Sequence, residues 1–209
     1  MSKASAPRSP RMAVVGAGPA GLVAAIVARR LGLDVTLYEQ APNFGRAGGG
    51  VLIHSNGQRV LDALGLLASF EPKMRMTTRF AIEIPARRFR STTDLSTLPI
   101  PFARGAVVLR ADLQEHLLAA ALREGIPVQF GRRIEGTVRE PEGVVLRTAR
   151  GPDEVFDAVV ASDGVHSAVR TSLHLPARER ATGEAYIRAV AERRSDDDTV
   201  RELWGDDGR

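Results

Sequence analysis

The chain has 209 residues, 44% apolar and 26% charged, with no cysteine and four histidines; it is long enough for roughly one to two domains, and disulfides, thiolate zinc sites, iron–sulfur clusters and cysteine nucleophiles are excluded. No apolar run approaches the ~20 residues of a membrane helix and the N-terminus lacks a secretory apolar core, which predicts a soluble, cytoplasmic protein with no membrane partner. A net charge of +4, carried by arginine apart from Lys3 and Lys73, and 5% aromatics predict neither a base-stacking platform for nucleic acid nor, with the histidines scattered, a metal site.

Residues 1–10 are small, polar and proline-bearing, and read as a disordered tail. Met12 to Val15 is a short apolar strand. Gly16-Ala-Gly18-Pro19-Ala20-Gly21 follows as a tight turn. Leu22 to Leu31 is alanine-rich and helical, stopped by Gly32. Asp34 to Tyr38 is a second strand ending at Glu39. The order strand, glycine turn, helix, strand within about 30 residues is a βαβ unit. Gly16 permits the turn, Gly18 lets backbone approach a pyrophosphate, and Gly21 allows close packing of helix on strand. The helix N-terminus offers free N–H groups to phosphate. Glu39, 18 residues past Gly21, is placed to accept both ribose hydroxyls, and its charge repels a 2′-phosphate. The nucleotide expected there is FAD or NAD. The alternative is a glycine turn that only packs.

Residues 41–50 form a mobile glycine-rich loop. Asn56 is expected to cap a helix running to Leu64. Residues 74–108 contain β-like stretches (RFAIEI, AVVL) broken by Pro85, Pro99 and Pro101, and are assigned to a different layer. Asp112 and Glu115 form a D-x-x-E capping box. They open a helix to Glu124 with Leu113, Leu117, Leu118, Ala121 and Leu122 on one face. Arg110 precedes it, where the helix dipole does not favour a cation; an anionic ligand accounts for it, and a solvated surface arginine is the alternative. Pro127 to Phe130 is a short strand, and 133–139 with 143–149 a hairpin. Val155 to Ala161 is a single apolar strand of the buried, parallel type.

Asp163-Gly164-Val-His166-Ser167-Ala-Val-Arg170 then turns into a short helix from about Val165, with His166 and Ser167 in its first turn. A carboxylate and a glycine at a strand's carboxyl end suit a ligand site at the mouth of a parallel sheet. The plain alternative is a strand–turn–helix with a capping acid. Arg170 is placed to pair with Asp163. Residues 185–192 and 199–204 read as two further strands. His54 follows the glycine loop and either faces a ligand or sits on a strand edge.

Taken together these motifs resemble the group A flavoprotein monooxygenases, the para-hydroxybenzoate hydroxylase-like aromatic hydroxylases. The glycine turn at 16–21 with Glu39 resembles their FAD fingerprint. Arg46 with Gly48 to Val51 resembles their loop beside the flavin. Ser55-Asn56-Gly57 stands near their Pro-Asn-Ala, without the proline. Arg110 resembles their arginine ahead of an R-x-x-L helix, and 161–170 resembles their DG motif, which serves both the FAD pyrophosphate and NAD(P)H use.

The resemblance implies an α/β fold: a Rossmann-like FAD-binding domain with a parallel sheet (11–73 and 105–175) and the start of a β-rich substrate domain (74–104 and 176–209). The cofactor-binding residues it implies are Gly16, Gly18, Pro19, Ala20, Gly21, Glu39, Gln40, Arg46, Gly49, Gly50, Val51, Arg110, Asp163 and Gly164. No catalytic residue is assigned. The implied chemistry is reduction of FAD by NAD(P)H and transfer of one oxygen atom, through a flavin hydroperoxide, to a small aromatic substrate. The family's third fingerprint, a Gly-Asp followed by small residues, is not found, so the chain reads as the N-terminal half of such an enzyme. A flavin halogenase or reductase of the same fold, or a non-catalytic FAD- or adenine-nucleotide-binding fragment, is the alternative.

Overall fold

The computed structural model describes residues 8–45, 48–178, 180–183, 187, 189–192 and 197–205. Residues 1–7, most of the expected tail, and Arg46 lie outside the described residues. The elements in chain order are β1 (Arg11–Val15), α1 (Pro19–Arg30), β2 (Asp34–Tyr38), β3 (Gly50–Ile53), α2 (Ser55–Ala63), α3 (Leu67–Phe70), β4 (Arg75–Thr77), β5 (Arg79–Ile84), β6 (Phe89–Asp94), β7 (Gly105–Leu109), α4 (Arg110–Arg123), β8 (Val128–Gln129), β9 (Ile134–Glu140), β10 (Gly143–Thr148), β11 (Glu154–Phe156), β12 (Ala158–Ala161), α5 (Ala168–Ser172) and β13 (Thr199–Leu203). They fall into two compact units: Met1–Arg46 with Gln114–Ala185, and Ala47–Leu113 with Tyr186–Arg209. This is a different partition of the chain from the one implied by the family resemblance.

The first unit holds the expected parallel sheet, in the order β12-β1-β2-β8. Val14 pairs with Val160 on one side and Leu37 on the other. Leu22, Ala25 and Ile26 of α1 are buried, and α1 packs on β1 and β2. A core cluster joins Ala13, Val15 and Tyr38 of that sheet to Ile134, Leu146, Phe156 and Val169. Tyr38 and Phe156 meet edge to face at 6.1 Å, the geometry their ring quadrupoles favour. An antiparallel sheet, β11-β10-β9, forms the expected hairpin and its neighbour.

The run 155–161 is not one strand. β11 pairs antiparallel with β10, and β12 pairs parallel with β1. The change of sheet falls at Asp157, whose carboxylate accepts from the Arg11 amide at 2.7 Å and from the Arg8 guanidinium at 2.9 Å. Those bonds, the Arg11 amide first, lower its pKa below the ordinary carboxylate range. Val155 is also 40% exposed, so the run is not uniformly buried.

The second unit contains two sheets, β3-β7-β4 and β13-β5-β6. In the first all pairs are antiparallel; in the second β13 runs parallel to β5 and β5 antiparallel to β6. Of the two expected late strands, the second forms as β13; in the first, 185, 186 and 188 lie outside the described residues, and residues 187 and 189–192 are not in a strand. The start of β13 is fixed by charge. Bonds from Thr199 and then Arg201 hold the Asp197 carboxyl down at about 2.

Three helix starts differ from expectation. α2 begins one residue before Asn56, with His54 at the N-cap, and the Asn56 side chain accepts from the Gly57 amide instead. α4 begins at Arg110, directly after β7 ends at Leu109. Asp112 therefore sits inside the first turn, where its charge suits the dipole, and pairs with Lys73 at 3.5 Å. On the inward face of α4 Gln114 is buried, while Leu122 is 55% exposed. α5 begins at Ala168 rather than Val165, because Ser167 is its N-cap.

Candidate functional site: a cleft at the carboxyl ends of the parallel strands

The glycine turn is fixed from four sides. The Gly16 amide donates to the Tyr38 carbonyl at 2.8 Å, and the Ser162 amide donates to the Val15 carbonyl at 2.8 Å. The Ala17 amide donates to Glu39 Oε2 at 2.9 Å, and the Ala17 carbonyl accepts from Gln114 Nε2 at 3.2 Å. Gly16 has φ +95°, and a Cβ there would lie 2.4 Å from the Ser162 carbonyl oxygen. A Cβ on Gly21 would lie 1.8 Å from the Gly16 carbonyl oxygen. Neither position admits a side chain. Gly18 is different: its φ is −65°, and a Cβ there would meet nothing within 4 Å.

α1 starts at Pro19 with Gly18 as N-cap and no side-chain cap. Its first amides have no side-chain acceptor, which is the arrangement that receives anions. Gly16 and Gly18 open on a cavity of about 350 Å³. Glu39, Gln40, Asp163 and Gly164 share its wall. Glu39 also accepts from the Ala41 amide at 2.9 Å, so both its oxygens are oriented by backbone. Tyr38, on the same wall, donates its hydroxyl to Glu154 at 2.9 Å. Burial, and then that carboxylate, push the phenol well above its ordinary range.

Asp163 behaves as a capping acid. Oδ1 accepts from the Ser167 hydroxyl at 2.6 Å and Oδ2 from the Val169 amide at 3.2 Å. Ser167 Oγ accepts from the Arg170 amide at 2.9 Å. Arg170 donates from its guanidinium to the Val165 carbonyl. Gly164, at φ +85°, carries the chain round between strand and helix.

Gly49, Gly50, Val51 and Arg110 belong to the second unit. Gly50 pairs with Leu109, and Val51 with Val108. The Arg110 amide donates to the Gly49 carbonyl at 3.2 Å. Gly48 has φ +128°, and a Cβ there would lie 3.3 Å from Arg110 Cδ. The structure thus brings Arg110 onto the glycine loop, and the close approach needs that glycine.

Sequence reasoning missed four residues here. Arg132, Arg133 and Ile134 line the cavity, and the Arg132 amide donates to the Glu39 carbonyl at 2.9 Å. Nothing in their spacing marks them. Gln114 had a signal, since it shares a helical face with Leu117 and Ala121, a polar residue at an apolar position. Among the described residues no group of three metal-ligating side chains occurs, and no helix is long and apolar enough to cross a membrane.

A family model described as FAD binding domain matches residues 10–205. A 3-amino-4-hydroxybenzoate 2-monooxygenase of Streptomyces platensis is 37% identical over 188 residues, 87% of this chain and 46% of that protein. A 6-hydroxynicotinate 3-monooxygenase of Bordetella bronchiseptica is 32% identical over 188 residues, 87% of this chain and 48% of that protein. The solved tetrameric form of 2-methyl-3-hydroxypyridine-5-carboxylic acid oxygenase is similar in fold, with a TM-score of 0.74 at 23% identity, over 96% of this chain and 53% of that one. The chain spans about half the length of the curated relatives it matches.

Proposed function

We propose, because the chain belongs to the FAD binding domain family, that it is the FAD-binding part of a monooxygenase that hydroxylates a small aromatic ring, with NAD(P)H as the reductant. The observation that carries this reading is the contrast within the glycine turn. Gly16 and Gly21 are closed to side chains, whereas Gly18 faces open space over the cavity. A loop shaped only for packing has no need of a glycine at 18.

The residues present fit the cofactor. Gly16, Gly18, Pro19, Ala20 and Gly21 would hold the pyrophosphate at the start of α1, where backbone N–H groups and the dipole favour negative charge. Glu39 would take the ribose hydroxyls, with Gln40 beside it, and would reject a 2′-phosphate. Gly164 would line the pyrophosphate end, with Asp163 fixing α5 behind it. Gly49, Gly50, Val51 and Arg110 would meet the flavin end, the arginine supplying charge-assisted bonds to flavin or phosphate oxygens. When bound, FAD supplies the redox chemistry by which NAD(P)H and dioxygen place one oxygen atom on the ring; the chain supplies binding, orientation and electrostatics. The proposed functional division remains 11–73 with 105–175 for FAD, and 74–104 with 176–209 for the substrate. A cytoplasmic location suits use of a nicotinamide reductant.

The test uses the glycine of the turn whose added Cβ meets nothing within 4 Å. Gly18→Val fills the mouth of the cavity without a clash in the protein. The expected outcome is a folded chain whose FAD affinity, read by quenching of flavin fluorescence, falls at least tenfold. Equal FAD binding by the variant would remove this loop from the site. Oxidation of NADH and NADPH, measured with and without hydroxybenzoates, tests the reductant and the substrate class.

A further inference from the structure

β3 ends at Ile53, and His54 stands between it and α2. Its position is fixed by Gln58, which is fully buried. The Gln58 amide donates to the His54 carbonyl at 3.0 Å. Gln58 Nε2 donates to the Ile53 carbonyl at 3.1 Å and the Arg104 carbonyl at 2.8 Å. Its Oε1 accepts from Arg104 Nε at 3.3 Å. Backbone and side chain of this one residue thus tie the end of β3, the first turn of α2 and the loop before β7 into one rigid corner. No side-chain cap bond engages the His54 imidazole at the helix start.

His54 lines two neighbouring clefts in the second unit, of about 280 and 250 Å³. Leu95 lines both; Ile100 and Phe102 line one, Leu52 and Phe80 the other. The cations on these walls are neutralised. Arg79 on β5 pairs with Asp198 at 2.7 Å, and Arg104 pairs with Glu71 at 2.6 Å. Among the described residues of these walls, His54 is the titratable side chain with no hydrogen bond or ion pair. Apolar walls take a flat ring. A ring hydroxyl taken out of water needs a partner, and imidazole is the side chain that changes charge in the physiological range.

We infer that His54 is the base that receives the hydroxyl proton of a phenolic ring bound in these clefts. The inference rests on the aromatic-hydroxylase reading above and names a residue of that site. In the step the ring O–H bond breaks, its electron pair stays on the ring oxygen, and the proton passes to an imidazole nitrogen and from there to water, since His54 is exposed. The ring left behind is an electron-rich phenolate, the form that an electrophilic hydroxylation consumes. Gln58 is a positioning residue.

The test uses the FAD-loaded protein and 4-nitrophenol, whose phenolate absorbs visible light. Bound to the wild type, the probe ionises about one pH unit below the free probe, a tenfold change in its ionisation constant. In His54→Gln, which disturbs no bond of the fold, the shift disappears while bound flavin is unchanged. Leu95→Trp, which fills both clefts, abolishes probe binding. Equal ionisation in wild type and His54→Gln, or probe binding that survives Leu95→Trp, would overturn the assignment. Absence of flavin absorbance after reconstitution would overturn the underlying functional reading instead, and the two failures are read at different wavelengths.

Discussion

β1 and β12 lie side by side in the parallel sheet, and each leads through a turn into a helix. The two turns use opposite chemistry. The first has glycine at 16, 18 and 21 and leaves the start of α1 without a side-chain cap. The second closes the start of α5 with Asp163 and Ser167, which accept the Val169 and Arg170 amides. Both need a positive-φ glycine, Gly16 in one and Gly164 in the other. An acid near a helix start therefore does not by itself indicate a ligand. The turn that keeps its amides open is the one without polar side chains. Both turns touch the same cavity, one wall with open amides and the other with capped ones.

Substitutions sharpen this contrast, beginning with the largest effect. Gly21→Ala places a Cβ 1.8 Å from the Gly16 carbonyl oxygen, and backbone has nowhere to move. A loss of about 3 kcal/mol or more is expected, at the upper end for overpacking, read as a fall in the urea midpoint. Glu39→Ala is expected to weaken FAD binding by roughly 1–3 kcal/mol through lost charge-assisted bonds. Unchanged affinity in a titration would sink the ribose assignment. Asp163→Ala removes the acceptor of the Ser167 hydroxyl and the Val169 amide, at a cost of about 1–2 kcal/mol in stability. If that variant instead lost FAD binding at full stability, the division of labour between the two turns would be wrong. Gly18→Val should move stability by no more than ~0.5 kcal/mol, as at an open surface position.

The smallest expected effect is one of pH. Asp157 has its folded pKa lowered by the Arg11 amide and Arg8. A depressed carboxylate contributes stability that is fully present above its ordinary pKa and lost as pH falls through the lowered one. Acid unfolding curves of wild type and Asp157→Asn should therefore converge as pH drops through that range. Parallel curves would show that the sheet change at Asp157 does not depend on its charge.

The βαβ unit was readable because its signals are local: apolar strands, a glycine turn and an alanine-rich helix follow one another within one stretch. The division of 155–161 was not, because VFDAVVA has the apolar run of one buried strand and only its neighbours reveal that Phe156 and Ala158 pair into different sheets. The start of α4 was misplaced for a related reason. Asp112 and Glu115 carry genuine capping chemistry, but β7 runs straight into the helix and overrides it. Within the candidate site, Glu39, Gly16 and Gly21 follow from spacing. Arg132 and Arg133 do not, since a loop 90 residues downstream reaches the cavity only through the pairing of β8 with β2.

Glu39 accepts from the Ala17 amide on one carboxylate oxygen and from the Ala41 amide on the other. Two backbone bonds therefore fix its rotamer as part of the fold. Ordering such a side chain costs roughly 0.5–1.5 kcal/mol when it happens on association, and here that entropy loss belongs to folding. Under the proposed function, a nucleotide would meet an acceptor already aimed, with no search among side-chain conformations to slow its binding. The same two bonds also tie the carboxylate to the glycine turn and to the chain two residues beyond it, so under the proposed function a grip on the ribose would be felt by the turn that faces the phosphates.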